Sequence, residues 1–124
     1  MNTSLNQIGQ IAIPVRDINK AIIFYRDALG MRFLFKAPPG LGFFDCGGVR
    51  LMLDEPAKDK AGNGSTLYFK VDDVDKSYQD LSSKGVIFDE RPHLIAKMPD
   101  HDLWMAFFRD VDGNQLALMT EKGF

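Results

Sequence analysis

The sequence predicts an α+β protein built from two tandem βαβββ modules. Three features carry that expectation: an internal repeat, two aspartates that each open an apolar stripe at helical spacing, and a glycine-marked hairpin before the last strand of each half. Ile11, Ile13, Val15, Asp17 and Ile18 return at a shift of 56 as Leu67, Phe69, Val71, Asp73 and Val74, and Lys20 returns as Lys76. At a shift of 55, Gly30 and Phe33 map onto Gly85 and Phe88. At a shift of 65, Phe43, Gly48, Leu51 and Leu53 map onto Phe108, Gly113, Leu116 and Leu118. A shift that changes along the chain marks loop-length differences between duplicated units.

Each element follows from local pattern. Residues 8–15 alternate apolar with small or polar and predict a strand. Asp17 stands where its carboxylate can accept from an orphan N–H of a first helical turn. Ile18, Ile22, Tyr25 and Leu29 then form one apolar stripe, and Gly30 supplies the left-handed stop. Strands are expected at 31–36, 41–46 and 49–54, with Pro38, Pro39 and Gly40 as one turn and Gly47-Gly48 as a tight hairpin. The second half repeats this with a strand at 66–71, Asp73 as cap, Val74, Tyr78 and Leu81 as stripe and Gly85 as stop. Strands at about 86–91 and 103–109 follow. Asp112-Gly113 makes the hairpin into the last strand, 114–120. The modules thus span 5–56 and 64–121. Residues 57–63, polar and without apolar periodicity, read as a solvated linker inside one compact domain.

Composition excludes several functions. Fifteen basic and seventeen acidic side chains leave a net charge of −2, which gives no electrostatic ground for a nucleic-acid or anionic membrane partner. Cys46 is the single cysteine, so neither an internal disulfide nor a cysteine-built zinc site is available. Residues 1–8 do not read as a signal peptide, and no apolar run approaches the roughly 18 residues of a membrane span. A cytoplasmic location is expected. Phosphate loops, nucleophile elbows and basic aromatic patches are missing from the sequence.

Three segments resemble the glyoxalase/bleomycin-resistance/extradiol-dioxygenase (vicinal oxygen chelate) superfamily. IAIPVRDINKAIIFYRDALGMRF resembles its opening strand and helix, VDDVDKSYQDLSSKGVIF the opening of its second module, and FFRDVDGNQLALM its closing hairpin. The resemblance implies that each half curls into a cup-like mixed sheet with a ligand cavity inside, and that two chains pair as a homodimer. It also implies four metal ligands on the first and fourth strands of the halves, usually His, Glu or Gln. Those positions fall on Gln10, Met52, Thr66 and Ala117. Gln10 offers one carbonyl oxygen, Thr66 is a poor ligand, Met52 is soft, and Ala117 has no donor atom, so no metal cofactor is expected there.

Other chemistry is weighed against plainer roles. His101, between Asp100 and Asp102, and His93, after Pro92, are weak candidate general bases, and a solvated loop for His101 and a structural strand end for His93 are the favoured readings. Residues 92–102 exceed their first-half counterpart and are expected to form a rim loop able to act as a lid. Cys46 has no local base and reads as a packed thiol. About half of the strand aromatics should face a sheet's inner side, and Trp104 is taken with Gln10, Met52, Thr66 and Ala117 as ligand-binding. The expected function is binding of a small organic molecule in the cup, in the manner of the bleomycin-resistance branch. The alternative is a lactoylglutathione-lyase-like or dioxygenase-like enzyme with a relocated site using His93 or His101. A module without any ligand is the third reading.

Overall fold

A computed structural model describes residue 3 and residues 5–123. Two four-stranded mixed sheets form, each βαβββ in chain order, as the sequence predicts. The first contains β1 (Gln10–Pro14), β2 (Arg32–Ala37), β3 (Leu41–Cys46) and β4 (Val49–Asp54), ordered β1-β4-β3-β2. The second contains β5 (Leu67–Lys70), β6 (Phe88–Lys97), β7 (His101–Arg109) and β8 (Gln115–Gly123), ordered β5-β8-β7-β6. In each sheet the first and last strands run parallel and the other neighbours antiparallel. A parallel pair needs a long crossover, and the helix with its hairpin supplies it: α1 (Ile18–Ile23) in one half, α2 (Val74–Ser83) in the other. The chain divides into two compact units, the first ending at Ala61 and the second beginning at Gly62.

Asp17 and Asp73 cap the two helices as expected. Asp17 accepts from the Lys20 N–H at 3.1 Å, and Asp73 from both Asp75 and Lys76 at 3.0 and 3.1 Å. Gly30 and Gly85 follow with φ of 69° and 92°. The core of the first unit joins Ile18, Ile22 and Tyr25 to Phe44, Leu51 and Leu53; that of the second joins Val74 and Leu81 to Phe108, Leu116 and Leu118.

Four expectations need correction. The first helix is not continuous to Leu29: Phe24–Ala28 is a π turn, with the Leu29 N–H on the Phe24 carbonyl. The apolar stripe tolerates it because only its last step, Tyr25 to Leu29, falls inside that turn. Glu55–Lys60, which takes in the first four residues of the stretch read as a featureless linker, forms 3₁₀ turns with Pro56 opening them. Residues 92–102 are not a lid loop but the ends of two paired strands, β6 and β7, closed at Met98 by its N–H on the His101 carbonyl. Pro92 and three register shifts are tolerated because β6 is an edge strand. Finally, β3 maps onto β7 at a shift of 64, not 65, because Phe44 pairs with Leu51 as Phe108 pairs with Leu116. The second hairpin holds the extra residue. Among the described residues no helix is long and apolar enough to cross a membrane.

Candidate functional site

Strand alternation gives each sheet a face that packs its helix and a face that does not. On the helix-free face of the first sheet, Ala12, Met52 and Phe43 form one row and Gln10, Arg50 and Asp45 the next. The Gln10 amide nitrogen points at the Met52 sulfur, 3.8 Å away. Phe35 stacks on Phe43 with centroids 4.8 Å apart, and the Arg50 guanidinium lies 5.7 Å from the Phe43 ring. Phe35 is 45% exposed.

The matching face of the second sheet begins with a polar row. The Thr66 hydroxyl donates to the Gln115 amide oxygen at 3.0 Å. Beside Gln115, Arg109 gives its Nε to the Asp89 carboxylate at 2.9 Å and its Nη1 to the Gly113 carbonyl at 2.9 Å. The next row is Tyr68, Ala117 and Phe107. The strands β5 and β7 flank β8 and so lie roughly 9–10 Å apart. The Tyr68 and Phe107 rings nevertheless meet edge to face at 6.3 Å, so both lean over Ala117, which is fully covered. Lys70, Met119, Met105 and His93 form the next row, and Lys70 reaches Glu121, one row further, at 3.7 Å.

The residues singled out from sequence are distributed as follows. Gln10 and Met52 touch on the first sheet. Thr66 and Ala117 share the helix-free side of the second, but Ala117 is no open floor: the rings of Tyr68 and Phe107 form the surface there. Trp104 lies on the opposite face. It pairs with Thr120, while Lys122 sits 4.2 Å over its ring and reaches Asp75 of α2 at 3.7 Å, so alternation separates it from Ala117. His93 is not at a strand end but within β6. Its Nδ1 meets the Arg91 carbonyl at 2.6 Å and its ring lies 6.4 Å from Phe107. A carbonyl only accepts, so Nδ1 carries a proton in this contact. His101 opens β7, its Nδ1 on the exposed Asp100 carboxylate at 2.7 Å.

Sequence reasoning passed over Gln115 as a ligand contact and Met119 altogether. Counting by two from Ala117 along β8 finds both. Burial, with Asp45 adding to it, pushes the Cys46 thiol above its ordinary range, in keeping with a packed side chain.

The four positions at which the superfamily places metal ligands do not fit a hard divalent ion. Ala117 has no donor, Met52 offers a thioether, Gln10 turns its nitrogen toward that thioether, and Thr66 spends its proton on Gln115. Among the described residues, no group of three His, Cys, Asp or Glu side chains stands close enough to hold a metal ion. A groove of about 400 Å³ lies off these faces, between the start of α1 and the β2–β3 turn. Its cation, Lys36, is already bonded to Asn19 at 2.7 Å, and turn residues Pro38, Pro39 and Gly40 supply much of its wall. It holds no cluster of convergent chemistry.

Residues 7–118 match the family model of the Glyoxalase/Bleomycin resistance protein/Dioxygenase superfamily. The uncharacterized protein YraH of Bacillus subtilis (strain 168) is 32% identical over 88% of this chain and 94% of its own length. The metallothiol transferase FosB of Lysinibacillus sphaericus (strain C3-41) is 27% identical over 94% of this chain and 84% of its own. Among solved structures, TnmS3, an antibiotic binding protein from Streptomyces sp. CB03234, superposes with a TM-score of 0.79 at 26% identity, covering 98% of this chain and 100% of that one.

Proposed function

Because the chain belongs to the Glyoxalase/Bleomycin resistance protein/Dioxygenase superfamily, we propose that it binds a small, flat organic molecule on the helix-free face of its second sheet, without a metal at the superfamily's four positions. One observation carries the reading: where the superfamily places donor atoms, this face presents the paired rings of Tyr68 and Phe107 with Met105 and Met119 beside them. Aromatic faces and thioethers are sticky toward flat, polarizable ligands and indifferent to hydrated ions. The likeness to an antibiotic binding protein supports aromatic antibiotics as the first compounds to try.

A thermal-shift screen with such compounds is the test. Hits should lose about tenfold in affinity in Tyr68→Ala and in Phe107→Ala, the worth of one aromatic contact, and keep it in Trp104→Phe on the opposite face. Hits that bind while ignoring both aromatic substitutions place the ligand elsewhere. Homodimerisation belongs to the same proposal, and light scattering that gives a monomer at high concentration removes it.

One observation favours the enzymatic alternative: the His93 ring lies 6.4 Å from Phe107 on the proposed face, with Nδ1 on the Arg91 carbonyl and Nε2 not engaged there. Conversion of a bound hit, detected by mass spectrometry and lost in His93→Gln with binding intact, decides for catalysis.

A further inference from the structure

Resting on that ligand face, we infer that Gln115 reads a neutral oxygen acceptor on the ligand, held in position by Thr66, so that the ligand class is flat polycyclic aryl ketones. Thr66 is one of the five residues that sequence alone puts forward as contacts. Its hydroxyl proton, however, is committed to the Gln115 amide oxygen at 3.0 Å. A glutamine amide has one acceptor end and one donor end. In the structure the oxygen end faces the Thr66 hydroxyl, which leaves the NH2 group to offer, and no described residue accepts from it. Gln115 is half-buried on the same side of β8 as Ala117, one row from the Tyr68 and Phe107 rings. A flat ligand stacked on those rings therefore brings one edge to the amide.

The neighbouring charge decides what kind of acceptor belongs there. Arg109 stands across from Gln115, but its Nε is on Asp89 and its Nη1 on the Gly113 carbonyl, so its charge is already balanced. A half-exposed pair whose charges cancel adds little net attraction for a carboxylate or phosphate. A ketone oxygen on an aromatic frame loses less water and needs one or two N–H donors, which is what the amide supplies.

The probes are 9-fluorenone-2-carboxylate and fluorene-2-carboxylate, which share ring system and charge and differ by one ketone. Calorimetric titration should show the wild type preferring the ketone by about fivefold, the worth of one neutral hydrogen bond. Gln115→Met should abolish the preference while leaving fluorene-2-carboxylate affinity in place. Thr66→Val, which frees the amide to turn, should reduce the preference to about twofold, and Thr66→Ser should restore it. Gln115→Glu, which keeps a partner for Thr66, should reverse the preference, so the inference stays testable if Gln115→Met unfolds. No preference in the wild type, or equal loss of both probes in Gln115→Met, overturns the inference. If neither probe binds while screen hits still depend on Tyr68, the ketone class is wrong and the ligand face stands. If nothing that binds depends on Tyr68 or Phe107, both fail.

Discussion

The row that reads Ala12, Met52, Phe43 in the first sheet reads Tyr68, Ala117, Phe107 in the second. Bulk has moved from the middle strand to its flank. In the first sheet Met52 stands up between a methyl group and a ring. In the second, two rings close over a methyl group and become the surface. The next row contrasts as sharply: Gln10, Arg50 and Asp45 against Thr66, Gln115 and Arg109. On the helix-packed faces the halves hardly differ. Leu51 and Leu116, Leu53 and Leu118, Phe44 and Phe108 occupy equivalent buried places. Core packing restricts both copies in the same way, whereas the helix-free faces are furnished independently, and it is there that ligand chemistry diverges.

The largest effect is expected where the two cores do differ, at Gly42 and its counterpart Ala106. A Cβ on Gly42 would meet the Ile22 side chain at 3.0 Å and Ile18 at 3.3 Å, because α1 lies hard against the sheet there. Ala106 is fully buried, so the second unit accommodates that methyl group. Gly42→Val should cost about 2–3 kcal/mol by overpacking, against about 1 kcal/mol for Ala106→Gly. Urea unfolding of both variants measures this. Equal costs would mean that the two helices sit equally far from their sheets.

The hairpins give the next contrast, since Cys46 in the first corresponds to Asp110 in the second. Asp110 is buried, and its carboxylate accepts from the N–H groups of Asp112 and Asn114 and from the Asn114 amide at 2.8–2.9 Å. The Asn114 oxygen in turn accepts from Gly62 at 2.8 Å. The first turn has Gly47 and Gly48 at φ of 61° and 90°, a region that favours glycine, and its carboxylate, Asp45, accepts only the Gly48 N–H among the described residues, at 3.2 Å and partly exposed. Asp110→Ala should therefore cost about 2 kcal/mol, and Cys46→Ala below about 1 kcal/mol. A cheap Asp110→Ala would show the extra residue of the second hairpin to be held by backbone alone.

That hairpin also shows where the sequence could be read and where it could not. Capping aspartates, glycine stops and strand alternation act within a few residues, so elements, faces and core followed from local pattern. The one-residue insertion before Asn114 was invisible because Phe43-Phe44 and Phe107-Phe108 are doublets, and either alignment sets a phenylalanine on a phenylalanine. β6 looks short in sequence because Pro92 and its charged neighbours resemble loop, although an edge strand has no partner to miss the proline's N–H. Aromatic character alone groups Trp104 with Ala117, while parity along β7 sets it on the helix side. Gln115 as the contact depends on a bond to Thr66, 49 residues away, which only the parallel pairing of β5 with β8 creates.

A smaller effect concerns the Cys46 thiol, raised by burial and then by Asp45. The folded state thus holds the thiol proton more tightly than the unfolded chain. Its contribution to stability is present below the unfolded thiol's pKa and is lost as pH rises through the folded one, in the alkaline range. Iodoacetamide alkylation of the native protein should accelerate at a higher pH than in urea-unfolded protein, with Asp45→Asn narrowing the gap. Coincident profiles would make the thiol effectively solvent-exposed.

The smallest contrast lies in the caps. Asp73 accepts from two N–H groups with a single oxygen and starts a helix of ten residues, whereas Asp17 accepts from one and starts a helix of six that passes into a π turn. Capping satisfies orphan donors of the first turn, so the loss on removal scales with the donors left bare. Asp73→Ala should cost about 1 kcal/mol and Asp17→Ala about half of that, with asparagine at either position recovering most of the loss. The measurement is a shift in urea midpoint at constant slope. The reverse order would mean that α1 relies on its cap more than on the burial of Ile18, Ala21 and Ile22, and that packing against the close-lying Gly42 stabilises it less than the contacts suggest.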